Sequence, residues 1–236
     1  MSLLLVGMSH RTASVGLRER FALEDPRALL SKLVASPEID EAVLISTCNR
    51  VEVMVWTREV ESARLRLRSC FERELVNEGT PLRPGDLAGA LYELVDGAAA
   101  RHLLRVACAI DSLIVGEPQI LGQVKDAYRV ALACGACGPI LGRLYARAFA
   151  TAKRVRNETR LAERPVSVAR VAVDLARQIF ESLDDKAALL VGAGDMIELA
   201  LESLRRQGLG SVRVANRARA RAAALATRFG ASAHGL

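Results

Sequence analysis

The chain has 236 residues, 51% hydrophobic and 25% charged, a mixture that supports one or two packed globular domains. No run approaches the 18 or more apolar residues of a membrane span. The apolar start from Met1 to Gly7 lacks the basic flank and the length of a signal-peptide core, so the cytoplasm is the expected location and no membrane partner is expected. A net charge of +6 and a pI near 9.4 suit a phosphate-rich partner, whereas 4% aromatic content argues against a stacking platform for single strands.

Leu3 to Met8 reads as a strand, and Pro26 to Ala35 as a helix with Asp25 as cap and Pro26 at its first position. Ala42 to Ser46 is a compact apolar run, hence a buried strand. Arg50 to Trp56 carries Val51, Val53 and Val55 at period two, hence a second strand. Helical spacing over Ser62 to Val76 and a short strand over Leu91 to Val95 complete a β-α-β-β-α-β order, the split arrangement of ferredoxin-like folds. Helices follow over Ala98 to Ala109, Gln119 to Ala133 and Ile140 to Glu158. Pro165 breaks the pattern and Ser167 caps a further helix to Ser182.

The continuous apolar run Ala187 to Val191 reads as a buried parallel strand. It leads into Gly192-Ala193-Gly194 and a helix from Met196 to Gln207. A second strand over Val212 to Ala215 and a helix over Arg217 to Phe229 follow. The expected fold class is α/β: an α+β ferredoxin-like domain with appended helices over 1–160, then a partial Rossmann βαβα unit over 161–236. Two strands are too few for a doubly wound sheet, so the nucleotide domain reads as truncated.

Gly192, Ala193, Gly194, Asp195, Met196 and Ile197 match the dinucleotide turn except at the last position, where Ile197 stands for Gly or Ala. The first glycine permits the tight turn, the second admits a pyrophosphate, and the helix start offers free N–H groups. At the end of the next strand Asn216 and Arg217, with Arg219 and Arg221, replace the carboxylate that holds an NAD ribose. Guanidinium groups there favour NADP. The alternative is a solvated basic helix start.

The five cysteines, an odd number without a secretory signal, read as reduced thiols. Cys48 falls in the turn between two strands, beside Arg50, where a cation favours the thiolate. Taken alone, a cysteine near an arginine is commonly incidental. Cys108 reads as packing. Cys134 and Cys137 form a single CxxC pair, two of the four ligands of a zinc site, with no second pair to complete it.

Five runs occur in order along the chain: Gly7 to Ala13, Arg18 to Arg20, Ser46 to Arg50, Asp111 to Leu113 with Gly116 to Lys125, and Ala152 to Thr159, followed by Val191 to Leu199. On these runs the chain resembles the glutamyl-tRNA reductases, the entry enzymes of five-carbon tetrapyrrole synthesis. The resemblance implies an NADPH-dependent reduction of glutamyl-tRNA to glutamate-1-semialdehyde through a thioester on Cys48. It implies that Thr47, Asn49, Arg50, Ser112, Glu117, Pro118, Gln119 and Gln123 bind the substrate, with Arg50 as the fork for its carboxylate, and that His102 handles a proton near the thiol. His10 is assigned to fixing a turn. Full-length members continue into a helical dimerisation domain absent here, so a homodimer and a hand-off to the semialdehyde aminomutase belong to the intact enzyme. Two other readings remain: a dehydrogenase of the shikimate type, and a non-catalytic fragment that binds tRNA or a partner.

Overall fold

The computed structural model describes the chain except residues 22, 24, 77–81, 84, 160, 162–167 and 181. The Pro165 break and the Ser167 cap lie outside the described residues. The chain divides into two compact units, Met1–Pro165 and Val166–Leu236.

In the first unit β1 (Ser2–Ser9), α1 (Val15–Glu19), α2 (Arg27–Val34), β2 (Glu41–Ser46), β3 (Arg50–Thr57), α3 (Val60–Arg73) and β4 (Tyr92–Val95) precede α4 (Gly97–Ala107), α5 (Gln119–Ala133) and α6 (Pro139–Glu158). The strands pair in the order β2-β3-β1-β4, every neighbour antiparallel, which is the ferredoxin-like sheet. Helix α1 was not expected from the sequence. Asp25 does accept the Arg27 N–H at 3.0 Å, but Pro26 sits one position earlier than expected, at the N-cap of α2.

The period of two along β3 suggests one wet face, yet the sheet is covered on both. Val51, Val53 and Val55 share their face with Glu93, which pairs with Arg64 and Arg68 of α3. The opposite face carries Glu41, Arg50, Glu52 and Met54 and lies under the appended helices. Glu41, 5% exposed, accepts the Ile140 N–H at 3.0 Å and the Leu141 N–H at 2.7 Å. A sheet carboxylate thereby caps the first turn of α6, where a negative charge suits the helix dipole.

The second unit comprises α7 (Val168–Ile179), β5 (Ala187–Val191), α8 (Asp195–Arg206), β6 (Ser211–Asn216), α9 (Arg219–Phe229) and β7 (Ser232–Gly235). Its sheet is parallel, in the order β5-β6-β7. Two expectations need correction. A third strand, β7, follows the two read from the sequence, and His234 lies within it. The apolar run of β5 is covered on one face only: Ala188 and Leu190 pack on the unit's core, while Leu189 is 62% and Val191 58% exposed. Such runs mark strands sandwiched on both sides, and this unit supplies one side. Among the described residues no helix is long and apolar enough to cross a membrane.

Gly7 makes room for the inner face of the first sheet. It pairs with Glu52, and a Cβ on it would stand 2.7 Å from both Glu52 Cγ and the Val51 carbonyl oxygen. Gly7→Ala is expected to destabilise the chain by about 1–3 kcal/mol, the range for overpacking a filled core. Gly16→Ala, where an added Cβ meets nothing within 4 Å, is expected to be neutral or mildly stabilising. Denaturant unfolding of the two variants checks the contrast.

Candidate active site

The β2–β3 connection is a three-residue turn, Thr47-Cys48-Asn49, built by its own side chains. Thr47 donates its backbone N–H to the Arg50 carbonyl at 2.8 Å. Its Oγ1 accepts the Asn49 N–H at 3.2 Å and the Arg50 N–H at 3.1 Å. From outside the hairpin, His10 donates its N–H to the Asn49 carbonyl at 2.8 Å, and Arg18 of α1 donates Nε to the Cys48 carbonyl at 3.1 Å. The turn is thus bonded from within and from two outside elements, and the Cys48 side chain is exposed to solvent.

Cys48 is the one exposed cysteine of the five. Burial pushes the Cys70 thiol up to about 12; burial and the nearby Glu41 push Cys137 up to about 11; and burial raises Cys108. Thiols held that high carry negligible thiolate at neutral pH. Accessibility therefore singles out Cys48 as the nucleophile candidate.

Beneath the turn lies a buried ionic cluster. Glu52 Oε1 accepts from Arg50 Nη1 at 2.5 Å, from His102 Nε2 at 2.9 Å and from the Tyr92 hydroxyl. Arg50 Nη2 donates to the Asp111 carbonyl, and the Asp111 carboxylate faces Arg11 Nη2 at 3.1 Å and His102 Nδ1 at 3.7 Å. Burial works against the charge on Glu52, but the His102 hydrogen bond and the Arg50 guanidinium outweigh it and hold the carboxyl below its usual range. Burial and the Glu52 charge push the Tyr92 hydroxyl up, so it stays a donor.

This arrangement places Arg50 and His102 within the protein's own bonding network. Arg50 is 1% exposed, and its guanidinium holds the protein's own Glu52, two residues along the same strand face. Among the described residues, His102 bonds to Glu52 and faces Arg50 and Asp111, not the thiol. Glu52, Tyr92, Asp111 and Arg18 were assigned no role from the sequence. The signal for Glu52 was present: opposite charges at i and i+2 of a strand lie on one face, in an otherwise apolar segment.

The Arg50–Asp111 bond brings the turn together with the Asp111-Ser112 loop. Ser112 is 7% exposed, and its Oγ has no partner among the described residues; the same holds for His10 Nδ1. Buried polar atoms left unpaired in this way have bonding capacity that a ligand group or a water can complete. Burial, then Arg50 and Arg11, lowers the His10 pKa, so its imidazole is mainly neutral at pH 7. Glu117 is 8% exposed, and burial raises its carboxyl. Pro118 is the N-cap of α5; Gln119 opens the helix and Gln123 lies one turn on, on the same side.

In the second unit Gly192 has φ +117°, open to glycine alone without strain, and joins β5 to the turn before α8. An added Cβ at Gly192 would lie 3.4 Å from Ile197 Cγ1, whereas at Gly194, the N-cap of α8, nothing lies within 4 Å. Ile197 thus packs under the turn while Gly194 leaves an open approach to the helix start. Asn216 donates Nδ2 to the Ala218 carbonyl at 3.1 Å, and Arg217, Arg219 and Arg221 are exposed with no carboxylate partner among the described residues. These residues fit a dinucleotide: Gly192 to Met196 for the pyrophosphate and the arginines for a ribose phosphate.

Removing the charge of Glu52 tests the cluster. Glu52→Gln leaves Arg50 buried without its counter-ion and is expected to cost about 3 kcal/mol at neutral pH. Because the folded carboxyl titrates below its unfolded value, the Glu52 contribution is present above about pH 4.5 and is lost as pH falls through the lowered folded value. The stability gap between parent and variant should therefore narrow under acid, as read by denaturant unfolding across pH 3 to 7.

Comparison with known proteins matches residues 6–159 to the glutamyl-tRNA(Glu) reductase N-terminal domain and residues 174–235 to the shikimate/quinate 5-dehydrogenase domain. The glutamyl-tRNA reductase of Syntrophotalea carbinolica is 47% identical over 235 residues, covering 99% of this chain and 52% of the relative. That of Syntrophus aciditrophicus is 46% identical over 231 residues, covering 97% and 54%. The structure of the glutamyl-tRNA reductase from Methanopyrus kandleri superposes with a TM-score of 0.62 at 35% identity, over 99% of this chain and 54% of that one. The chain spans about half the length of the relatives it matches. On the matched N-terminal domain and on these identities, the chain belongs to the glutamyl-tRNA reductase family.

Proposed function

We propose that this chain carries the thioester-forming part of NADPH-dependent glutamyl-tRNA reduction, with the first unit catalytic and the second binding the dinucleotide. The observation that carries the reading is the exposure of Cys48, alone among five thiols, on a turn whose backbone is fixed from both sides. In the proposed step the Cys48 thiol gives up its proton and Sγ bonds to the ester carbonyl carbon of glutamyl-tRNA. The bond to the terminal ribose oxygen breaks, and that oxygen takes up a proton as the tRNA departs. NADPH, when bound, supplies the hydride that reduces the thioester to glutamate-1-semialdehyde and frees the thiolate.

The chain's own groups position the substrate. The unpartnered Ser112 hydroxyl offers a hydrogen bond, and Glu117, costly to ionise where it is buried, gains a counter-ion from the α-ammonium group. Gln119 and Gln123 present amides along one side of α5. Arg50 acts from behind the turn, holding Thr47 to Asn49 in place through Glu52 and Asp111. Homodimerisation and hand-off of the semialdehyde to its aminomutase in tetrapyrrole synthesis belong to the same proposal for the whole enzyme.

Incubating the chain with glutamyl-tRNA and reading its intact mass is expected to reveal one added glutamyl group, lost in Cys48→Ala. An adduct that persists in Cys48→Ala refutes the nucleophile assignment. Tight tRNA binding without any adduct points instead to the binding-module reading.

A further inference from the structure

The groove between α5 and α6 takes no part in the site described above. It has a volume of about 390 Å³ and is lined by Leu121, Lys125, Phe149, Lys153, Arg156 and Asn157, with no carboxylate in its wall. Lys125 and Lys153 have no acidic partner among the described residues. Arg156 donates Nη2 to the Pro118 carbonyl at 3.2 Å, which ties the groove to the Glu117-Pro118-Gln119 segment. Lys125 Nζ lies over the Phe149 ring, 5.9 Å from its centroid, a cation–π contact that holds the ammonium at the groove wall. Helix α6 as a whole carries five cations, Arg143, Arg147, Lys153, Arg154 and Arg156, against one carboxylate, Glu158, which pairs with Arg154.

We propose that this groove holds the phosphate backbone of the tRNA acceptor end, with Lys125, Lys153 and Arg156 as the phosphate contacts. The proposal rests on glutamyl-tRNA being the substrate. Lys153 and Arg156, at i and i+3, have Cβ atoms roughly 5–6 Å apart on one helix side, and Lys125 lines the other wall. Such a row suits a strand of successive phosphates better than one compact anion. The half-buried Phe149 ring offers apolar surface to sugars and bases between the charges. The contact to Pro118 places the strand beside the segment assigned to the glutamyl group, so one helix start serves both the acyl group and its carrier. Contacts of this kind fix position on the nucleic acid without reading its sequence.

The test uses the full chain with labelled, deacylated glutamate tRNA in a salt series, with Cys48 alkylation as the check on the thiol site. Lys125→Gln with Lys153→Gln is expected to weaken binding about tenfold or more and to lower the slope of log affinity against log salt by about one per lysine. Cys48 alkylation should be unchanged. A matched loss of charge away from the groove, Arg27→Gln with Lys32→Gln, is expected to leave both affinity and slope as in the parent. Parent-like binding by the groove variant, or an equal loss of affinity and slope in the Arg27→Gln, Lys32→Gln variant, overturns the proposal. So does a groove variant that loses NADPH affinity while keeping tRNA affinity. If the glutamyl adduct never forms but the groove variant still loses tRNA, the groove stands and the catalytic reading falls.

Discussion

One buried carboxylate organises the first unit. Glu52 sits on the inner face of the sheet, in space that exists because position 7 has no side chain, and a charge so placed persists only if it is neutralised and fully bonded. Its three donors come from three elements: Arg50 from the start of β3, Tyr92 from β4 and His102 from α4. Meeting the demand of this one oxygen fixes the register of the sheet against the helical layer. Arg50 then carries the constraint onward to the Asp111 carbonyl, so the loop before α5 is placed by the same network.

The Cys48 turn gains its rigidity from that network without being part of it. Its sulfur is exposed, yet Thr47, His10 and Arg18 hold the peptide groups on either side. The proposed nucleophile needs reach and orientation together; the turn supplies the reach and the buried layer below supplies the orientation. The polar atoms left unpaired near this layer, Ser112 Oγ and His10 Nδ1, are where the protein's own bonding stops.

The ferredoxin-like order was legible because short apolar runs and helical spacing alternate cleanly along residues 1–95, and the topology follows from that alternation with few choices. The exposed Cys48 was legible because turn residues separate two strands. The parts that were not legible all involve charge. A sequence shows Arg50 close to Cys48 but not which way the guanidinium points, and in a strand the residue two along, Glu52, shares its face and claims it first. Arg18, thirty residues from the turn it anchors, gives no local sign of its target. His10 does fix the turn through its backbone, as expected, yet its orphaned ring nitrogen depends on packing that no spacing reveals. The exposed face of β5 was missed for a related reason: an apolar run records the cover a strand is suited to, not the cover this unit provides.

A net charge of +6 says little until the cations are sorted by their partners. Arg50 and Arg18 are buried struts, each bonded to carbonyl or carboxylate oxygens. Many surface arginines, such as Arg58, Arg129 and Arg154, are offset by a nearby acid. The cations without an acidic partner among the described residues include Lys125 and Lys153 in the α5–α6 groove of the first unit, and Arg217, Arg219 and Arg221 at the start of α9 in the second. A cation without an acidic partner gains from any phosphate that approaches, whereas a paired one must first give up its acid. Part of the positive balance of the chain is thus gathered at these two places, the groove proposed for a polynucleotide strand and the helix start proposed for the phosphates of a dinucleotide.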